Sequence, residues 1–220
     1  MNQPANQRVI AYIDGFNLYF GLRDSQFRRF YWLDVSVLAS KLLKPNQILQ
    51  STKYFTARIA GPKGNDTSRH AQQLTEKRKR QTVYLDALST RNNLTIFEGN
   101  YLAKKRKCRK CNAHWTIHEE KMTDVNIATE LLVDAFQDKF DTALLISADS
   151  DLVSPVRSIC ELFPNKRVVV AFPPKRQSAQ LKKVASSCFT IGRSKLVKSQ
   201  LPQNITLSNG HILNRPTSWQ

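Results

Sequence analysis

The sequence predicts an α/β fold around a mainly parallel sheet, with a cysteine-containing β-hairpin inserted in it. Three observations carry this. Short runs of β-branched, aromatic and aliphatic residues alternate with longer amphipathic stretches along most of the chain, as βαβ units with right-handed crossovers do. The apolar runs are continuous rather than alternating, which fits strands covered on both faces. One basic segment, 99–121, breaks the pattern with Cys108-x-x-Cys111 followed by Trp115 and Ile117, and reads as the inserted hairpin.

Taken in order, Arg8–Asp14 (RVIAYID) predicts a buried strand that ends on an acid. Gly15–Gly21 should turn into a short helix, and Leu33–Leu43 predicts a second helix stopped near Pro45. Thr52–Ile59 predicts a strand, and Gly61, Pro62 and Gly64 mark a loop after it. A long basic helix is expected from about Thr67 to Arg91, then a strand over Leu94–Phe97. Beyond the hairpin, Thr123–Phe136 predicts a helix. Thr142–Ser147 (TALLIS) is too short an apolar run for a helix and predicts a central strand. Leu152–Leu162 predicts a helix, Arg167–Phe172 a strand, Ser178–Ala185 a helix and Cys188–Ile191 a short strand. The domain is therefore expected over 8–198, between a disordered 1–7 and a polar, loosely ordered tail over 199–220.

Charge narrows the class of partner. Lys and Arg number 34 against 17 acids, a net of +17, and the isoelectric point is near 10.0. Such an excess suggests a polyanion, for which a phosphate backbone is the commonest candidate. No run is apolar enough to span a bilayer and the first residues lack a secretory segment, so the expectation is a cytoplasmic protein without a membrane partner, compatible with a homo-oligomer. No G-x-G-x-x-G follows the first strand and no G-x-x-x-x-G-K-[ST] loop occurs, which counts heavily against Rossmann nucleotide-binding enzymes and P-loop NTPases.

The acids are unevenly spread. Residues 152–220 hold one, Glu161, whereas 124–151 hold seven. Of these, Asp138 and Asp141 are best explained as ordinary helix surface. In a parallel sheet the strand carboxyl ends share an edge where ligand crevices form. Asp14 ends the first strand, and Asp149 and Asp151 follow TALLIS. Asp124 opens the preceding helix, in line with Ala128, Leu131 and Ala135 on its apolar stripe. Taken singly, Asp14, Asp124 or Asp149 reads first as a helix cap, and Asn17 has the same ambiguity. Together at one edge they repel unless a cation neutralises them, and hard oxygen donors select Mg²⁺ or Mn²⁺ over zinc.

Three motifs extend the reading. Ile13-Asp14-Gly15-Phe16-Asn17, then Glu120-Lys121-Met122-Thr123-Asp124-Val125-Asn126-Ile127-Ala128, then Ser147-Ala148-Asp149-Ser150-Asp151-Leu152 resemble, in the family's order, the NYN family of PIN-like nucleases over roughly residues 8–192. The resemblance implies a PIN-like three-layer α/β/α sandwich and Mg²⁺- or Mn²⁺-dependent endonucleolytic cleavage of RNA. It places metal ligands at Asp14, Asp124, Asp149 and Asp151, with Asn17 among the catalytic residues and Glu130 peripheral. It further implies in-line attack by metal-activated water on single-stranded RNA, leaving 5′-phosphate and 3′-hydroxyl ends. Ala148 stands where glycine is usual and Leu152 where phenylalanine is common; neither change removes a ligand.

In the hairpin, Lys104, Lys105, Arg106, Lys107, Arg109 and Lys110 put six cations in seven positions, either as an RNA-guiding arm or as a solvated surface. Cys108 and Cys111 have the spacing of half a zinc site, with His114 and His118 nearby. Zn²⁺ is the lesser reading there, because four ligands within eleven residues would be unusually compact; reduced thiols or a redox pair is the greater. Cys160 and Cys188 fall in a predicted helix and strand and read as small apolar residues. Lys175, Arg176, Lys182 and Lys183 suit phosphate contact without a place assigned. The rival to the nuclease is a catalytically silent RNA-binding module of the same fold. A Toprim-like site, suggested by Asp149-x-Asp151, is weaker, because that fold wants a glutamate where this chain has Asp14.

Overall fold

Gln7–Asp14 forms β1, the central strand, and its burial explains the sheet's composition. Val9, Ala11 and Ile13 pack into one apolar layer and Ile10 and Tyr12 into another, so alternate residues of one strand serve two cores. The computed structural model describes residues 6–62, 67–107 and 110–220, with side chains throughout except at 100–106 and 114–121.

From β1 the chain enters α1 (Gly15–Asp24), then α2 (Val35–Leu42), β2 (Gln47–Ala57) and α3 (Arg69–Ser89). The hairpin β3 (Leu94–Lys107) and β4 (His114–Lys121) leads into α4 (Thr123–Phe136). Next come β5 (Thr142–Ile146), α5 (Val153–Leu162), β6 (Arg167–Phe172), α6 (Ala179–Val184), β7 (Ser187–Thr190) and α7 (Arg193–Val197). The sheet order is β4-β3-β2-β1-β5-β6-β7. All pairings are parallel except β3 with β4 at the edge. Residues of α1, α2 and α3 fill one core, and residues of α4, α5 and α6 fill the other. This is a three-layer α/β/α sandwich, as expected. Among the described residues no helix is long and apolar enough to cross a membrane.

The strand order reverses between β1 and β5, the first half of the chain growing to one side and the second half to the other. Such a switch point splays the two following connections apart and opens a crevice at the carboxyl edge. Ile13 pairs with Ile146, so Asp14 and Ser147 leave the sheet side by side there.

Several expectations need correction. β2 starts at Gln47, earlier than expected, and β3 runs on from Phe97 into the hairpin rather than stopping. Gln7 already belongs to β1. Asp138 and Asp141 lie beyond the end of α4, not on its surface: both pair with Arg8. The segment 199–220 is polar, yet it is built into the fold. It forms β8 (Asn204–Thr206) and β9 (Ile212–Asn214), buries Leu201 and Leu213, and ends with Trp219 against Tyr31, Trp32 and Tyr84. The Trp32 indole N–H donates to the Pro202 carbonyl at 2.7 Å, and Leu201 N–H donates to the Trp32 carbonyl at 3.0 Å. A few apolar anchors on a preformed aromatic seat suffice to hold it.

Candidate metal centre

Asp14 is the N-cap of α1 and is also 1% exposed at the switch point. Its Oδ1 accepts from the Asn17 backbone N–H at 2.9 Å. Its Oδ2 accepts from the Asn17 side-chain amide at 2.6 Å and from the Ser147 hydroxyl at 2.8 Å. A carboxylate offers about four acceptor positions, so these three donors leave room for another partner. Gly15 lets the helix start this close to the sheet. A Cβ there would meet the Tyr54 hydroxyl at 2.6 Å and the Phe55 carbonyl at 2.7 Å.

Asp149 follows β5 and caps the short helical turn Ser150–Leu152, its Oδ1 accepting from Asp151 N–H at 3.0 Å. Its own N–H donates to the Ser147 hydroxyl at 3.0 Å. Ser147, 0% exposed, therefore couples the two acids: it gives its proton to Asp14 and accepts one from the Asp149 backbone. The third acid, Asp124, lies in the first turn of α4. It is half-buried, in line with the apolar residues Ile127, Leu131 and Ala135 as the helical period requires.

Asp14, Asp124 and Asp149 bring one carboxylate oxygen each within 4.8 Å of one another. Capping and clustering are thus not alternatives here, because Asp14 and Asp149 do both. Asp151 is exposed, on the rim beyond Asp149, and stands outside this group. Like charges at that separation cost on the order of 3 kcal/mol per ionised pair at an effective dielectric of about 20. Burial pushes the Asp14 carboxyl up; hydrogen bonds from Asn17 and Ser147 oppose this, Asp149 adds to it, and the net shift is upward. Three converging carboxylates, one of them buried and destabilised as an anion, fit a hard divalent cation with oxygen ligands.

A charge network that the sequence did not reveal holds α4 in place. Lys53 of β2 pairs with Glu130 at 2.6 Å and with the fully buried Asp134. The Tyr12 hydroxyl donates to Asp134 at 2.6 Å. Burial works against the Asp134 carboxylate, but hydrogen bonds from Lys53 and Tyr12 prevail and hold its pKa below the usual range. Asp134 falls three positions past Leu131 on the inner face of α4, so the helical period contained the signal.

The family model of the NYN domain matches residues 8–192. The chain belongs to the NYN family. That membership brings a nuclease-like fold, and the acidic triad lies within the matched residues. Along 99% of its length this NYN protein is also 26% identical to 6-hydroxy-3-succinoylpyridine 3-monooxygenase of Pseudomonas putida, covering 76% of that enzyme. A protein of unknown function from Vibrio parahaemolyticus has a similar fold, with a TM-score of 0.52 and 18% identity over 91% of this chain and 100% of that one.

The hairpin residues are placed less fully. Cys108 and Arg109 lie outside the described residues, as do the side chains of Lys104, Lys105 and Arg106, whose backbone belongs to β3. Lys107, Lys110 and Cys111 are exposed. Cys160 and Cys188 pack against the second core as expected, but each is only partly buried.

Proposed function

We propose that this chain is a divalent-metal-dependent endoribonuclease that hydrolyses single-stranded RNA. The observation that carries the reading is the meeting of Asp14, Asp124 and Asp149, from three separate elements, at the switch-point edge of a protein of net charge +17. Those three residues would hold Mg²⁺ or Mn²⁺. Such an ion acidifies water, polarises a phosphoryl oxygen and neutralises the leaving oxygen. Asn17 and Ser147 orient the Asp14 carboxylate by donating to it, which fixes the direction of its remaining lone pair. Asp151, exposed at the rim, would serve the reaction from outside the group of three ligands. The basic surface gathers the polyanion that the acidic centre would otherwise repel.

The test is cleavage of a labelled single-stranded RNA by purified protein. Activity with Mn²⁺ or Mg²⁺, arrest by EDTA and loss in Asp14→Asn support the reading. Binding without cleavage across metals and RNAs overturns it in favour of a silent RNA-binding module.

A second reading rests on the relative that matches nearly the whole chain and is named a monooxygenase acting on a substituted pyridine. It requires dioxygen uptake with a hydroxypyridine and a two-electron reductant, and an oxygenated product by mass spectrometry. The carboxylate centre supports hydrolysis better, because it assembles hard oxygen donors suited to a divalent cation that activates water.

A further inference from the structure

Next to the acids, α1 presents a second set of side chains that the hydrolytic reading leaves without a role. Phe16, Tyr19, Phe20 and Arg23 recur at spacings that place them on one side of the helix. Phe16 and Phe20 stack at 6.5 Å, Tyr19 meets Phe20 edge-on at 5.4 Å, and Tyr31 leans on Tyr19 at 5.1 Å. Tyr19 nevertheless remains 42% exposed.

Two guanidinium groups close the strip. Arg23 lies over the Phe20 ring at 4.5 Å and Arg176 at 5.4 Å. Asp24 ties them together, bonding Arg23 at 3.2 Å and Arg176 at 3.1 Å. Arg176 comes from the loop after β6, at the same carboxyl edge as the acids. Gly21 permits the contact, since a Cβ there would meet the Pro173 Cβ at 2.6 Å and the Pro174 carbonyl at 2.9 Å. Two cations share one carboxylate, so the cluster keeps a net positive charge. Each guanidinium has five N–H donors, and most of them are not spent on Asp24.

We propose that this aromatic–arginine strip is the track for single-stranded RNA leading to the acidic centre, with Tyr19 stacking an unpaired base and Arg23 and Arg176 holding flanking phosphates. The proposal rests on the ribonuclease reading and names the substrate contacts it needs. At about 1.5 Å of rise per residue, Tyr19 lies ~7.5 Å and Arg23 ~13.5 Å along the helix from Asp14; a strand leaving the metal centre reaches both. A protruding ring selects single strands, because a duplex hides its base faces. A merely structural cluster would instead affect melting and leave RNA binding alone.

The experiment measures binding of a fluorescein-labelled oligouridine by anisotropy over a salt series, in EDTA so that nothing is cut, with melting followed in parallel. Tyr19→Leu should weaken binding about tenfold with its salt slope unchanged. Arg23→Gln with Arg176→Gln should lower that slope by about 1.4, or about 0.7 for each phosphate contact on a single strand. Wild-type affinity and slope in both variants, from a protein that cleaves RNA, would overturn the strip and leave the nuclease reading standing. Strip-dependent binding without cleavage in any metal would do the reverse. No RNA binding by the unaltered protein would end both. If either variant melts early, photocrosslinking of 4-thiouridine RNA to the unaltered protein decides the matter. Adducts on the α1 peptide support the track, and adducts only elsewhere overturn it.

Discussion

The Ser147 hydroxyl donates to Asp14 across the β1–β5 seam at 2.8 Å, while its oxygen receives the Asp149 backbone N–H at 3.0 Å. One buried side chain thereby sets the orientation of one acid and the turn that carries another. Removing it should leave the ligands in place but loosen their geometry. Ser147→Ala is expected to lower metal-dependent RNA cleavage about tenfold to a hundredfold, the usual effect of losing a hydrogen bond behind a metal ligand. Raising Mn²⁺ should recover part of the loss. Unchanged cleavage at limiting metal would show that the hydroxyl is incidental.

Asp124 and Asp151 provide a contrast inside one motif set, since Asp124 belongs to the close group and Asp151 stands on its exposed rim. Asp124→Asn should abolish the rise in melting temperature that Mn²⁺ gives the unaltered protein. At a hundredfold excess over Kd that rise corresponds to about 2.7 kcal/mol, or roughly 5–10 °C for a chain of this size. Asp151→Asn should retain most of the shift while reducing cleavage. Equal loss of the thermal response in both variants would place Asp151 among the ligands.

The fold was readable where both faces of a strand are buried. β1, β5 and β6 announce themselves as apolar runs because nothing polar fits on either side. The segment 199–220 was not readable, because its anchors Leu201, Leu213 and Trp219 are too sparse for any period. Their seat is made by residues 31, 32 and 84, distant in the chain. At the site, Asp14 and Asp149 were legible as acids at strand ends and Asp124 as an acid on an apolar stripe. Ser147 was not, since a serine closing an apolar run looks like any strand-end residue until the Ile13–Ile146 register sets it beside Asp14. Arg176 likewise needed the Gly21–Pro173 contact to find its place.

Stability against acid should come from the opposite edge of the sheet. Asp141 exchanges hydrogen bonds with Arg8, accepting from its backbone N–H at 2.7 Å, and bonding to Arg8 holds the Asp141 carboxyl below the usual range. Lys166 and Arg8 do the same for Asp138. A lowered folded-state pKa gives stability that is present above the ordinary carboxylate value, about 3.9, and is lost as pH falls through the folded value. Arg8→Gln should therefore reduce stability at pH 5–8 and flatten its decline below about pH 4. Denaturant melts across that range measure this, and parallel curves for the two proteins would contradict it. Cleavage at neutral pH should persist in the variant, because Arg8 lies near the amino end of the strand whose carboxyl end carries Asp14.

The Lys53–Asp134 pair joins the sheet to α4, and α4 carries Asp124. Tyr12 and Lys53 are register partners on adjacent strands, so both reach Asp134 from the same side of the sheet. Lys53→Met leaves a fully buried carboxylate with its principal cation removed; Lys139, half-exposed, is a weaker substitute. Breaking one partner of a buried ion pair typically costs about 3–5 kcal/mol, so the melting temperature should fall by roughly 6–20 °C. Adding Asp134→Leu removes the stranded charge and should restore most of the stability. Activity separates the two roles of the network. If the pair only stabilises, the double variant will cleave as the unaltered protein does. If it also aims α4, the double variant will be stable yet bind Mn²⁺ less tightly, because Asp124 no longer meets Asp14 and Asp149 at the same distance. The second outcome is the one expected, since Glu130 is ion-paired to the same lysine and would be released along with Asp134.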